Sequence, residues 1–169
     1  MPMKDYRTIV VGTDGSELAT PTVARAAWLA KHEDADLVIV CAYAEMSRRT
    51  EAKNVVSLGG DVRIGQVLGR GAANDAIAQA VGVAKEYGAT IVAALLVEGE
   101  PAKSLLTVAE DRNADVIVVG ARQDRSVADR LLGTVAAEVT KRARCDVVIV
   151  RPTEETGDLV VPEDPPAGS

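Results

Sequence analysis

Residues 115–150 read DVIVVGARQDRSVADRLLGTVAAEVTKRARCDVVIV. Two unbroken β-branched runs, 116–119 and 147–150, flank a segment in which Ala128, Leu131, Leu132, Val135 and Val139 recur at helical spacing. A strand with one wet face alternates apolar and polar residues, whereas a strand covered on both faces is apolar throughout. Both runs are of the second kind, so the stretch is a strand, a crossover helix and a second strand parallel to the first.

The same unit repeats outward. RTIVVGT (7–13) precedes a helical segment with Val23, Ala27 and Ala30 on one face, and ADLVIVCA (35–42) gives the next strand. Residues 45–72 break the pattern with Arg48, Arg49, Gly59, Gly60, Gly65, Gly69 and Gly71, which predicts a long mobile loop with one short strand near 62–68. NDAIAQAVGVAKEYG (74–88) sets Ile77, Val81 and Ala84 on a helical face, and ATIVAALLV (89–97) is the third strong strand. Pro101 opens a further helix with Ala102, Leu105 and Ala109 along it, a position where the missing N–H costs nothing. Five apolar strands alternating with four helices predict an α/β domain built on a parallel sheet with helices on both faces.

At 169 residues the chain holds one such domain, 1–152, and a short remainder. Aromatic residues make up 2% and Phe is absent, so Val, Ile, Leu and Ala fill the core. Residues 153–169 carry Glu154, Glu155, Asp158, Glu163 and Asp164 without a Lys or Arg. They supply five of the six net negative charges. With Pro162, Pro165 and Pro166 among them they are expected to be a disordered acidic tail, dispensable for folding. The nearly neutral body has neither a basic stripe nor stacking aromatics, which argues against nucleic-acid polymers. No apolar run reaches the length of a membrane span, and no N-terminal stretch combines basic residues, an apolar run and a small-residue cleavage site, so a soluble chain is expected. One histidine (His32) and two cysteines (Cys41, Cys145) exclude a closed Cys/His zinc site and a disulfide framework, which fits a cytoplasmic setting.

In open sheets of this type ligands bind beyond the carboxyl ends of the strands. GTDGS after the first strand and the segment from Gly120 to Thr134 after the fourth are therefore the candidate loops. The chain has no Gly-Lys-Ser/Thr, so it is no P-loop protein, and GTDGSE lacks the dinucleotide glycine spacing. Gly69-Arg70-Gly71 resembles the start of that fingerprint, but Asn74 stands at the last glycine. Gly133 lies inside an apolar-periodic segment, where glycine costs about 1 kcal/mol against alanine. Either the helix begins there and its first amides, with the Thr134 hydroxyl, form an anion site, or a close helix–sheet contact leaves no room for a side chain. Asp14 reads equally as a ligand contact and as a turn or N-cap residue ahead of a helix, and Ser16 likewise. Trp28 is expected in the core or an interface, and His32 near a helix C-terminus.

VVGTDGS, ADVIVVGAR and LLGTVAAEVTKRARCDVVIVRP together resemble the universal stress protein family over residues 5–152. The resemblance implies a doubly wound, five-stranded sheet of order 3-2-1-4-5, a homodimer, and in one branch ATP bound through Gly-x2-Gly-x9-Gly-Ser/Thr. Gly120 matches the first glycine, Gly133 the third and Thr134 the hydroxyl, while Gln123 replaces the second glycine and Ala136 offers no second hydroxyl. By the same resemblance Gly12, Thr13 and Asp14 lie against adenosine, and Ala42, after the second strand, offers backbone groups to the adenine edge. Gly133, Thr134 and Val135 hold phosphates, Gly120 lets the phosphate-side loop approach, and Arg122 and Arg125 stand near. ATP with Mg2+ is the leading ligand; AMP and a cyclic nucleotide are the alternatives.

Two functions follow as expectations: a nucleotide-binding stress-response protein with a regulatory, non-catalytic role, or a dimerising module of the same fold that binds no nucleotide. In either, residues 146–150 form an exposed apolar edge strand that a twin copy would cover. A phospho-acceptor receiver is disfavoured because the third strand ends LLVEGEP without the acceptor Asp.

Overall fold

A computed structural model of the chain describes residues 5–45, 67–121 and 132–151. The expected loop between 46 and 66, the tail from 152 and the first part of the fourth crossover, 122–131, lie outside the described residues.

The elements run in the order β1 (Thr8–Gly12), α1 (Ala19–Glu33), β2 (Asp36–Ala44), β3 (Val67–Leu68), α2 (Arg70–Glu86), β4 (Thr90–Glu98), α3 (Pro101–Asp111), β5 (Val116–Gly120), α4 (Thr134–Arg142) and β6 (Asp146–Val150). The five long strands pair in parallel as β4-β2-β1-β5-β6. Counted without the two-residue β3, this is the expected order 3-2-1-4-5. β3 pairs with Tyr43 and Ala44 of β2. Val40 O accepts from Thr13 N and Ala44 O from Gly69 N. Carbonyls two residues apart on a strand point the same way, so β3 lies on the β1 side of β2, beyond the end of β1.

Alternation within each central strand divides the core in two. Ile9, Val11, Leu37, Ile39, Val116 and Val118 pack beneath α1 and α2 with Ala26, Ala27, Ala30, Ala80 and Ala84. Val10, Val38, Val40, Ile117 and Val119 pack on the other face against Leu105, Val108, Ala136 and Val139 of α3 and α4. Each fully buried aliphatic side chain contributes roughly 1.5–3 kcal/mol. Alanine-rich helix faces let backbones approach the sheet closely, and this is how a chain without Phe fills its core. On α2 the buried positions are Ala73, Ala76, Ala80 and Ala84, with Ile77 and Val81 only half-buried. The apolar face is therefore centred on small residues rather than on the large ones that marked it in the sequence. α2 also begins at Arg70, so Gly69-Arg70-Gly71 is a helix start and not loop.

The register between β2 and β4 shifts at Leu37/Val38, where Ile91 and Ala93 are the successive partners. Val92 is the residue passed over, and it is 48% exposed. An irregularity of this kind blunts an edge strand against further pairing.

Candidate functional site

The chain leaves β1 at Gly12, and Thr13 extends the pairing by one bond, its N–H donating to Val40 O at 2.9 Å. Asp14 Oδ1 then accepts the Ser16 N–H at 2.8 Å. Gly15 completes the turn at φ +76°, a left-handed conformation that glycine adopts without strain. α1 starts only at Ala19, behind Leu18, and has no side-chain cap. Neither Asp14 nor Ser16 caps a helix. The Asx turn fixes one carboxylate oxygen of Asp14 and holds the carboxyl at the carboxyl end of the sheet. Thr13 is buried, and its hydroxyl has no hydrogen-bond partner among the described residues.

On the neighbouring strand β5 ends at Gly120. Ala121 N–H donates to Val150 O at 2.8 Å, and Gly133 N–H donates to Ala121 O at 2.6 Å. Gly133 has φ −66° and ψ 166°, the extended geometry of an N-cap, and α4 begins at Thr134. Of the two readings of this glycine the helix start is the one realised. The long amphipathic period seen in the sequence overran the true helix start, because Leu132 precedes it. The first intrahelical bond is Ala137 N–H to Gly133 O, 2.9 Å. The amides of Thr134, Val135 and Ala136 come before that bond, so they have no acceptor within the helix and leave a positive end facing the strand termini.

Gly120 is required by packing on its own account. A Cβ there would stand 2.9 Å from Leu18 Cδ2 and 3.0 Å from Thr22 Oγ1, whose hydroxyl is already bonded to Leu18 O at 2.7 Å. The start of α1 thus rests directly on the Gly120 backbone.

These two strand ends enclose an open cleft. Gly12, Thr13, Asp14, Ala42, Gly120, Gly133, Thr134 and Val135 all line it; Gln123, Arg122 and Arg125 lie outside the described residues. Ala42 sits inside β2, which runs on to Ala44, rather than after the strand as expected. Its peptide groups point to the same side as those of Val40 and Ala44. They lie between the end of β1 and the start of β3, whose Tyr43–Val67 pairing engages the Ala42 carbonyl. Sequence reasoning did not single out Leu18, Val40, Pro101, Leu105 or Val119, which supply the apolar wall. Their signal was positional: Leu18 and Pro101 stand at the starts of α1 and α3, Val119 near the end of β5 and Leu105 one turn into α3, while Val40 lies within β2 opposite Gly12 at the end of β1. Among the described lining residues Asp14 is the one charged side chain. No group of three or more His, Cys, Asp or Glu suited to a metal occurs among the described residues. A magnesium ion would therefore be held chiefly by a nucleotide's own phosphates, with Asp14 as the available carboxylate.

Cys41 is fully buried beside the cleft floor. Burial, and secondarily the Asp14 charge, push its thiol up to about 11. Trp28 is not in the core: it lies on the outer face of α1, 42% exposed.

The universal stress protein family profile matches residues 5–151. A universal stress protein of Mycobacterium tuberculosis (strain H37Rv) is 36% identical over 151 residues, covering 89% of this chain and 100% of the relative. A universal stress protein crystallised in complex with cAMP superposes with a TM-score of 0.65 at 35% identity, covering 89% of this chain and 100% of that one. A universal stress protein from Archaeoglobus fulgidus shares the fold at 22% identity, with a TM-score of 0.66 and coverage of 86% and 99%. The profile match and the 36% identity extend over nearly the whole described structure, and the chain belongs to the universal stress protein family.

Proposed function

We propose that this protein binds an adenine nucleotide in the cleft at the carboxyl ends of β1, β2 and β5, and acts as a regulatory rather than a catalytic component of a stress response. The observation that carries the reading is the convergence on one apolar cleft of three complementary polar features. Among the described residues these are the Asp14 carboxylate with the unpartnered Thr13 hydroxyl, the Ala42 backbone, and the first-turn amides of α4 that no intrahelical bond uses. A flat base suits the wall formed by Val40, Ala42 and Leu105, a ribose hydroxyl suits Asp14 and Thr13, and a phosphate suits the start of α4.

ATP with Mg2+ is the finer reading, following the partial match of Gly120, Gly133 and Thr134 to the family's phosphate motif. A second reading, cyclic AMP, is favoured by one specific observation: the relative of 35% identity was crystallised with cAMP. The protein acts as a cytoplasmic homodimer in this proposal. Val147 to Val150 of β6 are half-buried apolar residues on the outermost strand of the sheet, and antiparallel pairing with a twin would satisfy both edges. The dimerising module without nucleotide remains the competing account.

Mass spectrometry of nucleotide released on denaturing the purified protein, followed by calorimetry with ATP–Mg2+, AMP and cyclic AMP, tests the proposal. A saturable stoichiometric heat with at least one of them supports it, and the ranking assigns the phosphate arm. No heat with any of the three would overturn it in favour of the dimerising module.

A further inference from the structure

Trp28 is the only tryptophan of the chain, and it points away from the sheet. It is held in a stack. The His32 ring lies on it with centroids 3.9 Å apart and planes inclined by 30°, His32 Nδ1 is 2.8 Å from the Trp28 carbonyl oxygen, and the Arg25 guanidinium stands 5.5 Å from the indole centroid. Positions 25, 28 and 32 share one stripe of a helix with 3.6 residues per turn, opposite the buried Val23, Ala26 and Ala30. Lys31 lies beside this stripe, exposed. Among the described residues no carboxylate forms an ion pair with Arg25 or Lys31. Among the described residues the outer face of α1 is thus a fixed indole between cations that no carboxylate pairs, on a chain whose net charge is −6. Exposed Trp and Arg together have the composition of a contact surface.

We propose that this face docks the chain's own acidic C-terminal segment, EETGDLVVPED (154–164). Charge complementarity carries the assignment. The segment holds five carboxylates and no cation, and places Leu159, Val160, Val161 and Pro162 between its acids. The receiving face places its indole between Arg25 and Lys31 in the same order of charge, apolar, charge. Chain reach permits it. Val148 and Val150 of β6 pack into the cluster beneath α1, together with Leu29 of that helix, so the chain leaves the sheet beside α1 at Arg151. The seven residues 152–158 span at most about 23 Å when extended, which matches the roughly 22 Å length of a 15-residue helix. A fully extended segment of this length is long enough to bring Leu159 to the level of Trp28. The contact is electrostatic and shallow, and the fold does not depend on it.

Because Trp28 is the sole indole, its fluorescence reads this surface alone. Acrylamide quenching is measured on the full chain, on a chain ending at Pro152, and on a full-length variant carrying Glu154→Gln, Glu155→Gln, Asp158→Asn, Glu163→Gln and Asp164→Asn. A tethered segment has an effective concentration on the order of 1 mM, so a contact of about millimolar strength is about half populated and quenching of the full chain falls by about two-fold. The shortened and the neutralised chains are both quenched faster, and 0.5 M NaCl removes the difference between them and the full chain, as screening requires. Arg25→Gln raises quenching in the full chain and leaves it unchanged in the shortened one. Equal quenching in all three proteins overturns the proposal. So does protection that survives the neutralised tail. Protection that grows with protein concentration also overturns it, since the occupant is then a second copy's tail.

Discussion

Gly133→Asp sets stability and affinity against each other. Gly133 already has N-cap geometry at φ −66° and ψ 166°, which any residue adopts, and its side chain begins at the start of a helix that has no side-chain cap. An aspartate there accepts hydrogen bonds from the amides of Val135 or Ala136 and sits at the positive end of α4. Replacing a glycine cap gains a few tenths of a kcal/mol, and the helix dipole adds about 0.3–1 kcal/mol. The same carboxylate occupies the donors that the proposed phosphate needs. Two negative charges sharing one helix turn about 4 Å apart repel by about 4 kcal/mol at an effective dielectric of about 20. The open mouth of the cleft admits water and screens part of this. The net loss is about 2–4 kcal/mol, or roughly 30- to 1,000-fold in Kd. Thermal unfolding and calorimetry on both proteins, with the nucleotide that wild type binds, read the two effects. A melting temperature equal to or above wild type with affinity lowered by that factor is expected. Unchanged affinity in a folded variant would refute the placement of the phosphate at α4.

Other perturbations follow from the described contacts. Gly120→Ala drives a methyl to 2.9 Å from Leu18 Cδ2 and 3.0 Å from Thr22 Oγ1; overpacking of this kind costs about 1–3 kcal/mol, lowering the melting temperature by about 2–4 °C per kcal/mol, and calorimetric scanning that finds no loss would show that α1 shifts freely. Tyr6 donates to Asp146 Oδ2 at 2.7 Å, and that bond, then desolvation and the Asp146 charge, push its hydroxyl up to about 12 from an ordinary 10. Its folded-state value is the higher one, so its contribution is complete below pH 10 and disappears as the pH rises through 10 to 12; denaturant titrations across that window should show the loss in wild type and not in Tyr6→Phe. Cys41, pushed up to about 11 mainly by burial, should resist iodoacetamide at pH 8 in the native protein and react in urea, and peptide mapping that finds it alkylated without denaturant would contradict its burial.

Much of this protein was legible along the chain because its signals are local. An apolar run such as VIVVG reports a strand covered on both faces, and Pro101 ahead of an apolar period reports a helix start. Both periods are properties of ten or fewer consecutive residues, so the βα alternation, the parallel sheet and the loops worth inspecting could be read directly. The strand order and the inventory of ligand contacts came through the family resemblance. Tertiary structure alone decided the questions that depend on who meets whom. Asp14 and Thr134 are 120 residues apart, and they share a cleft because β1 and β5 pair at the centre of the sheet, with Ile9 beside Val116. Gly120 must be glycine because Leu18 and Thr22 arrive from another element, and nothing near position 120 in the sequence announces them. On α2 the most deeply buried positions are Ala73, Ala76, Ala80 and Ala84, with Ile77 and Val81 packed against the core at its margin, because close approach to α1 and the sheet leaves room only for small side chains at the centre of the contact. Of the two places open to Trp28, the core and an interface, the core is excluded, since the α1 face toward the sheet is already filled by alanines. Periodicity tells a residue which side of its own element it is on; only packing between distant elements determines what stands opposite it, and both the cleft and the outer face of α1 are made of such encounters.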